Sequence, residues 1–576
     1  DGTHLEVFAE GLRNPQELTF DNYGNLWTGD NNSDGGDKAR WVYIVQNGDT
    51  GWRMYFQYLD DRGPWNRERM WHPYRADIET TAVQPAYIVP PIANLGDGPS
   101  GLTYYPGLGL ADRYENHFFM ADFRGAAGNS GIRSFSVKPK GATFELTDSH
   151  EFLWSILGTD VDFAPDGSLY VTDWVNGWVG EGKGRLYRFS DNEHISAVAG
   201  ANVPTLLNGG VAVAKTTDLV ELLGHADRRV RQAAQFQLVK NGDRKELYVA
   251  ATSTADEFTP LHATWGLWQL GLKSVEDTKL VAQHCLTSPA ADAEVHVQQI
   301  RVLTDLVSRH GIAAVLDGQM HTTARESLTK ITSDDDLRAA GFAAVALGAI
   351  GESSDLIALL DLLQRNDNAD PVIRHQAVMG LTSLEERSPG ILVTEQTLKR
   401  PVAVRLAMTV ALRRLRRDDI GQMLGDEDST VVAEAARAIT EQGTDTALDA
   451  LSARLAVAAT GPKGISEPAT VRRALEAGYR LGGKRHAELV AGVAADEFRP
   501  DNIRLIAANM LKTWNDPQQT DTVTGRYRTL PKRNVEGLKA SIQSNLAGML
   551  AGPSDVRQAT IEVAAQLGIK DVVPAL

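Results

Sequence analysis

The chain has 576 residues, 43% hydrophobic and 23% charged, a formal net charge of −16 and a single cysteine, Cys285. That length exceeds what one core organises and predicts two or more domains. The negative charge argues against a nucleic-acid backbone as partner, the lack of long apolar runs excludes a transmembrane helix within these residues, and one cysteine excludes an intrachain disulfide, a Cys-based zinc cluster and a Cys-x-x-Cys-His haem site within them.

Residues 1–190 hold eight of the eleven Trp and eleven of the fourteen Tyr. Their apolar residues alternate in short stretches broken by turn signals, as in Leu18-Thr19-Phe20, Asp21-Asn22-Tyr23-Gly24 and Asn25-Leu26-Trp27, which predicts an antiparallel hairpin. The pattern returns at Thr159 to Asp173 around Pro165-Asp166-Gly167, and more loosely from Ser100 to Asp122. Strand, turn, strand and acidic loop, repeated three times, predict β-propeller blades. About three blades cannot close a ring, so the first strand is expected at an open edge, with further blades before Asp1 in the natural gene product.

Residues 191–215 read as a linker, through Asp191-Asn192 and Asn208-Gly209-Gly210. From Thr216 to Leu576 the chain turns Ala/Leu-rich with helical periodicity. A short signature opens many helices: Asp227-Arg228-Arg229-Val230-Arg231, Asp336-Leu337-Arg338, Asp370-Pro371-Val372-Ile373-Arg374, Pro401-Val402-Ala403-Val404-Arg405 and Pro468-Ala469-Thr470-Val471-Arg472. Arg338, Arg374 and Arg405 are spaced by 36 and 31 residues, about one helix pair per repeat. The expected fold is therefore multidomain β + α, a partial β-propeller followed by an α-solenoid of HEAT-like repeats. More repeats are expected after Leu576, because no polar capping repeat is visible there.

Chemistry points to the front part. Asp30-Asn31-Asn32-Ser33-Asp34-Gly35 matches the first half of a calcium loop, whose alternate oxygens converge on one cation. Trp41 stands where an EF-hand needs its bidentate Glu, so the ligands of a Ca²⁺ here would be Asp30, Asn32, Asp34 and Asp37. The alternative is a solvated acidic turn closed by Asx hydrogen bonds. Asp160, Asp162, Asp166 and Asp173 flank one hairpin and raise the question of a paired-carboxylate site, against ordinary turn chemistry. Trp52, Trp65, Trp71, Trp174 and Trp178 could form a sugar-stacking platform, against core packing. His72 and His117 lack a partner at ligand spacing and read as structural, Cys285 as a small buried apolar residue, and Arg413-Arg414-Leu415-Arg416-Arg417 as a solvated helix face.

Gly11-Leu12-Arg13-Asn14-Pro15-Gln16, the acidic loop and Asn47-Gly48-Asp49-Thr50-Gly51-Trp52 together resemble the glucose/sorbosone dehydrogenase propellers. With the HEAT-like helices, nearly the whole chain resembles the putative membrane-bound dehydrogenases of planctomycetes and their relatives. The resemblance implies an exported, periplasmic or cell-surface oxidoreductase of sugars, polyols or sugar-derived aldehydes. It implies Ca²⁺ and pyrroloquinoline quinone as cofactors, Arg13 and Asn14 on the cofactor side and Asp30 to Asn32 at the metal; from the residues themselves, Trp52, Trp174 and Trp178 are the candidates for substrate stacking. Electrons would pass to a cytochrome c-type domain carrying haem c, absent from this chain. The family's quinone clamp uses two arginines where this chain has Leu157-Gly158-Thr159, and its general-base His lies upstream of the Arg-Asn motif. The second reading is therefore a non-enzymatic glycan-binding propeller whose HEAT surface holds a protein partner.

Overall fold

A computed structural model describes residues 5–32, 38–54, 84–180, 182–287, 292–456 and 467–575. Among them, residues up to Trp52 and Ile88–Ile391 form one compact unit. Arg53, Met54, residues 84–87 and those from Leu392 onward form a second.

The first unit opens with three antiparallel sheets in which every strand pairs with the next in sequence. β1 (Pro15–Phe20), β2 (Leu26–Asp30), β3 (Arg40–Ile44) and β4 (Ala93–Asn94) make the first; β5 (Pro99–Tyr104), β6 (His117–Asp122), β7 (Gly131–Lys140) and β8 (Thr143–Trp154) the second; β9 (Gly158–Phe163), β10 (Leu169–Asp173) and β11 (Arg185–Phe189) the third. The β1–β2 turn is closed by Asp21, whose carboxylate accepts the backbone N–H groups of Tyr23 and Asn25 and the indole N–H of Trp27. That is an Asx turn doubled by a side-chain bond.

Aromatic residues fasten sheet to sheet. Trp27 and Trp41 stack at 5.3 Å, and Trp41 meets the edges of Phe118 and Phe135 from the second sheet, both at 4.8 Å. Tyr105, Phe119, Val161, Phe163 and Val171 form the matching core between the second and third. The first strands of the sheets, β1, β5 and β9, lie side by side. Among the described residues β1 pairs with β2, and Leu18 and Phe20 are 54% and 52% exposed.

Residues 191–215, expected as a linker, are folded into short helices. Val198 and Val203 are buried there and pack with Val230. From Thr216–Leu222 to Ser554–Gln566 the described chain is a succession of helices. Asp227, Asp336 and Asp370 are N-caps, each accepting backbone N–H groups two or three residues on. In the first unit Gly348 packs against Gly380, which lets the helices Leu337–Ile350 and Pro371–Arg387 approach closely.

The same helix starts grip the turns of the sheets. Arg228 donates to the carbonyls of Phe20 and Asp21, and Arg229 to those of Phe163 (2.8 Å) and Ala164 (3.0 Å). Arg231 reaches Asn22 Oδ1 at 2.8 Å, and Gln298 reaches the Tyr23 carbonyl at 3.0 Å. Arg338, ion-paired with Glu294 at 2.8 Å, also bonds Asn25 and the Ala142 carbonyl, while Asp370 accepts the Ala142 N–H at 2.8 Å. One end of the β1, β5 and β9 group is thereby covered by guanidinium groups.

In the second unit, Glu441 lies between Arg413 and Arg473, at 2.9 and 3.0 Å. Arg413 also stacks over the Tyr87 ring at 3.8 Å, so within the segment expected as a solvated face this residue is buried. The Ala86 N–H donates to buried Glu434 at 2.9 Å.

Candidate functional site

At the end away from the helix starts, each sheet ends its second strand in a buried aspartate: Asp30, Asp122 and Asp173. Each carboxylate accepts backbone N–H groups from a nearby loop. Asp30 takes those of Arg13 (3.0 Å) and Asn14 (2.8 Å), Asp122 those of Asp97 (3.0 Å) and Gly98 (3.2 Å), and Asp173 that of Val175 (2.9 Å). Each also meets an arginine of the next strand, Arg40, Arg133 or Arg185. Burial alone would raise the Asp122 carboxyl, but hydrogen bonds from Arg124, Arg133 and the loop amides hold it below the usual carboxylate range. A repeated carboxylate that ties loop to strand is a building part of these sheets.

That arrangement decides how the described half of the predicted calcium loop is used. The Asp30 and Arg40 side chains are both fully buried against each other, and the remaining Asp30 lone pairs face the Arg13 and Asn14 amides. Asp30 itself therefore has its oxygens committed to the guanidinium and the two amides, and does not suit a cation ligand. Asn32 follows, its backbone N–H bonded to the Asn31 side chain. Asp34 and Asp37 lie outside the described residues, as do Trp65, Trp71 and His72. Among the described residues no group of three or more His, Cys, Asp and Glu side chains is placed to hold a metal ion.

The structure brings Arg13 to Trp52, with the guanidinium 5.9 Å from the ring centre; Trp52 is buried and Asn14 exposed. Trp174 and Trp178 instead occupy the loop after β10. Leu157 is fully buried, and the Thr159 hydroxyl bonds that of Thr172 at 2.8 Å. Neither can offer the bidentate contact that a quinone carboxylate requires, so pyrroloquinoline quinone does not fit a clamp at these positions.

A residue that sequence reasoning passed over stands on β1. Glu17 accepts the Leu102 N–H of β5 at 2.5 Å and lies close to Asp160 of β9. Burial, aided by the negative charges of Asp160 and Asp162, pushes the Glu17 carboxyl up to about 7. Asp162 also accepts the Thr103 hydroxyl at 3.0 Å. Three neighbouring strands thus place three carboxyl groups and a hydroxyl together, one carboxyl able to hold or release a proton near neutral pH. Asp166 and Asp173, grouped with Asp160 by sequence, belong elsewhere: Asp166 closes its own turn through Ser168 and pairs with Arg188, and Asp173 is the strand-end tie. The glutamate's sequence signal was only its place two residues beyond Pro15.

His117 is buried on β6. Its Nδ1 meets the buried Ser134 hydroxyl at 2.8 Å and its Nε2 faces Asp148 at 3.3 Å. Burial lowers its affinity for a proton, and the serine is beyond a substrate's reach, so the trio is structural. Burial likewise pushes the Cys285 thiol up to about 12, leaving it unreactive at neutral pH.

No family model and no curated protein matches the chain. Among solved structures it is similar to the Escherichia coli protein YibA, at 16% identity over 54% of this chain and 96% of that one, with a TM-score of 0.28. No helix among the described residues is long and apolar enough to cross a membrane.

Proposed function

We propose that the sheets are blades of a glucose/sorbosone dehydrogenase-type β-propeller and the helices HEAT-like repeats of an α-solenoid, the arrangement of the putative membrane-bound dehydrogenases. On this reading the chain is the core of an exported oxidoreductase acting on a sugar, polyol or sugar-derived aldehyde, in the periplasm or at the cell surface. Sequentially paired antiparallel sheets whose first strands adjoin support the propeller.

The observation that carries the enzymatic reading is Glu17. Oxidising a CH–OH group requires loss of the hydroxyl proton and of a hydride equivalent. A carboxylate titrating near 7 beside the first strands suits the proton's acceptor, and Asp160 with Asp162 can orient neighbouring hydroxyls. Haem c takes one electron at a time, so the hydride equivalent would first pass to a two-electron organic acceptor held elsewhere than at Leu157 and Thr159, and then as single electrons to a partner, a cytochrome c-type haem domain.

Buried Leu157 and the engaged Asp30 favour a second reading, in which the propeller binds glycan without turning it over. The helix starts around Arg228 to Arg231 and Arg338 are occupied by the chain's own sheets, so a protein partner on the HEAT surface would need another face.

Reduction of an electron-acceptor dye by the natural protein, with aldoses, polyols and sugar aldehydes, separates the two. The enzymatic reading expects turnover with a pH limb near 7 that falls at least 100-fold in Glu17→Gln while the melting curve is retained. Sugar binding by calorimetry without turnover in any condition would leave the second reading standing.

A further inference from the structure

The loop after β10 carries two indole rings that the fold leaves facing water. Trp178 is 74% exposed and Trp174 39%. An exposed tryptophan is an unusual use of the largest apolar side chain. Neither ring is left loose. Trp178 meets the edge of Phe123 at 5.3 Å and lies on Gly125, where any Cβ would collide with the indole. Trp174 has Gly180 against it, and a Cβ there would come to 3.0 Å of the ring.

The backbone between them is strained. Val175 has φ +78°, a region that β-branched residues rarely adopt. The strain is held by the Val175 N–H on Asp173, at 2.9 Å, and by the Gly177 N–H on the Gly125 carbonyl, at 3.0 Å. Asn176, at the tip, is exposed.

The nearby charges are matched among themselves. Arg124 pairs with Asp97 at 2.9 Å and with Asp122 at 2.8 Å, and Arg185 with Asp173 at 3.5 Å. Among the described residues these pairs balance the charges of Arg124 and Arg185, while flat aromatic planes suit the C–H faces of pyranose rings and a carboxamide suits their hydroxyls.

We propose that Trp174, Asn176 and Trp178 form a preformed stacking site for a neutral oligosaccharide. It is separate from Glu17 and does not depend on turnover. The hydrogen-bonded loop and its glycine seats hold the rings ready, so binding orders little of the protein.

The test is tryptophan fluorescence of the full chain titrated with hexasaccharides of cellulose, xylan, chitin, laminarin and amylose. We expect a saturable change with at least one, weakened at least tenfold in Trp178→Ala and Trp174→Ala. Gly125→Ala, which pushes the Trp178 indole off its seat, should weaken it too, with the melting temperature of each variant checked. Glu17→Gln should bind as the parent does, whichever way the turnover experiment falls. The proposal is overturned if none of the five perturbs the fluorescence, if Trp178→Ala binds unchanged, or if Trp178→Ala instead converts a dimer to a monomer in light scattering.

Discussion

Asp30 and Arg40 face each other across the β2–β3 ladder as register partners, and their charged ends meet with no exposure to solvent. Removing one partner of such a pair strands the other charge in the interior, at a cost of about 3–5 kcal/mol. Asp30→Ala should therefore lower the melting temperature equally in Ca²⁺ and in chelator. A loss confined to Ca²⁺-containing buffer would make Asp30 a metal ligand after all.

Glu17 sets a pH dependence with a definite sign. Its folded-state value near 7 lies above the ordinary carboxyl value of 4.5, so the folded chain holds the proton more tightly than the unfolded one. The stability it lends is complete below about 4.5 and is lost as pH rises through 7. With solvent screening allowed for, the loss is about 1–2 kcal/mol. Melting at pH 5 and pH 8 should show it, and Glu17→Gln should flatten the difference.

Glu441 should behave in the opposite sense. Burial opposes its ionisation, yet Arg413 and Arg473 hold its carboxyl down to about 2. Its contribution is present above the ordinary value of 4.5 and fades as pH falls toward 2. Calorimetry between pH 6 and pH 3 should show the transition of the second unit moving down, and Glu441→Gln should already lower it at pH 6.

Arg338 tests the grip of helix on turn. Its ion pair with Glu294 is buried and its remaining donors reach Asn25 and Ala142. Arg338→Ala should destabilise by about 3–5 kcal/mol and raise amide hydrogen exchange in residues 21–25 and 140–142. Unchanged exchange there would mean that the turns hold themselves.

How much of this could be read beforehand depended on how far each partner lay along the chain. The alternation around Leu18-Thr19-Phe20 and the Asp-initiated helices were legible, because pleat period and N-caps are local. That Arg228 to Arg231 and Arg338 point into β-turns was not, since the spacing of a repeat says nothing of what its arginines touch. That Asp30 of the oxygen-rich loop is paired with Arg40 was not legible either, because the two become partners only once the register is known. Glu17 was missed for the same reason: its N–H donor lies 85 residues on, and nothing adjacent in sequence announces a perturbed carboxyl.

The placement of Arg53 and residues 84–87 bears on synthesis. Arg53 and residues 84–87 belong with helices made much later, and the Ala86 amide must wait for Glu434, 348 residues downstream. At roughly 5–20 residues per second, that delay is on the order of 20–70 seconds. Tyr87 stays without its Arg413 lid through that interval, so an aromatic ring that ends up covered is open to water until the later helices emerge.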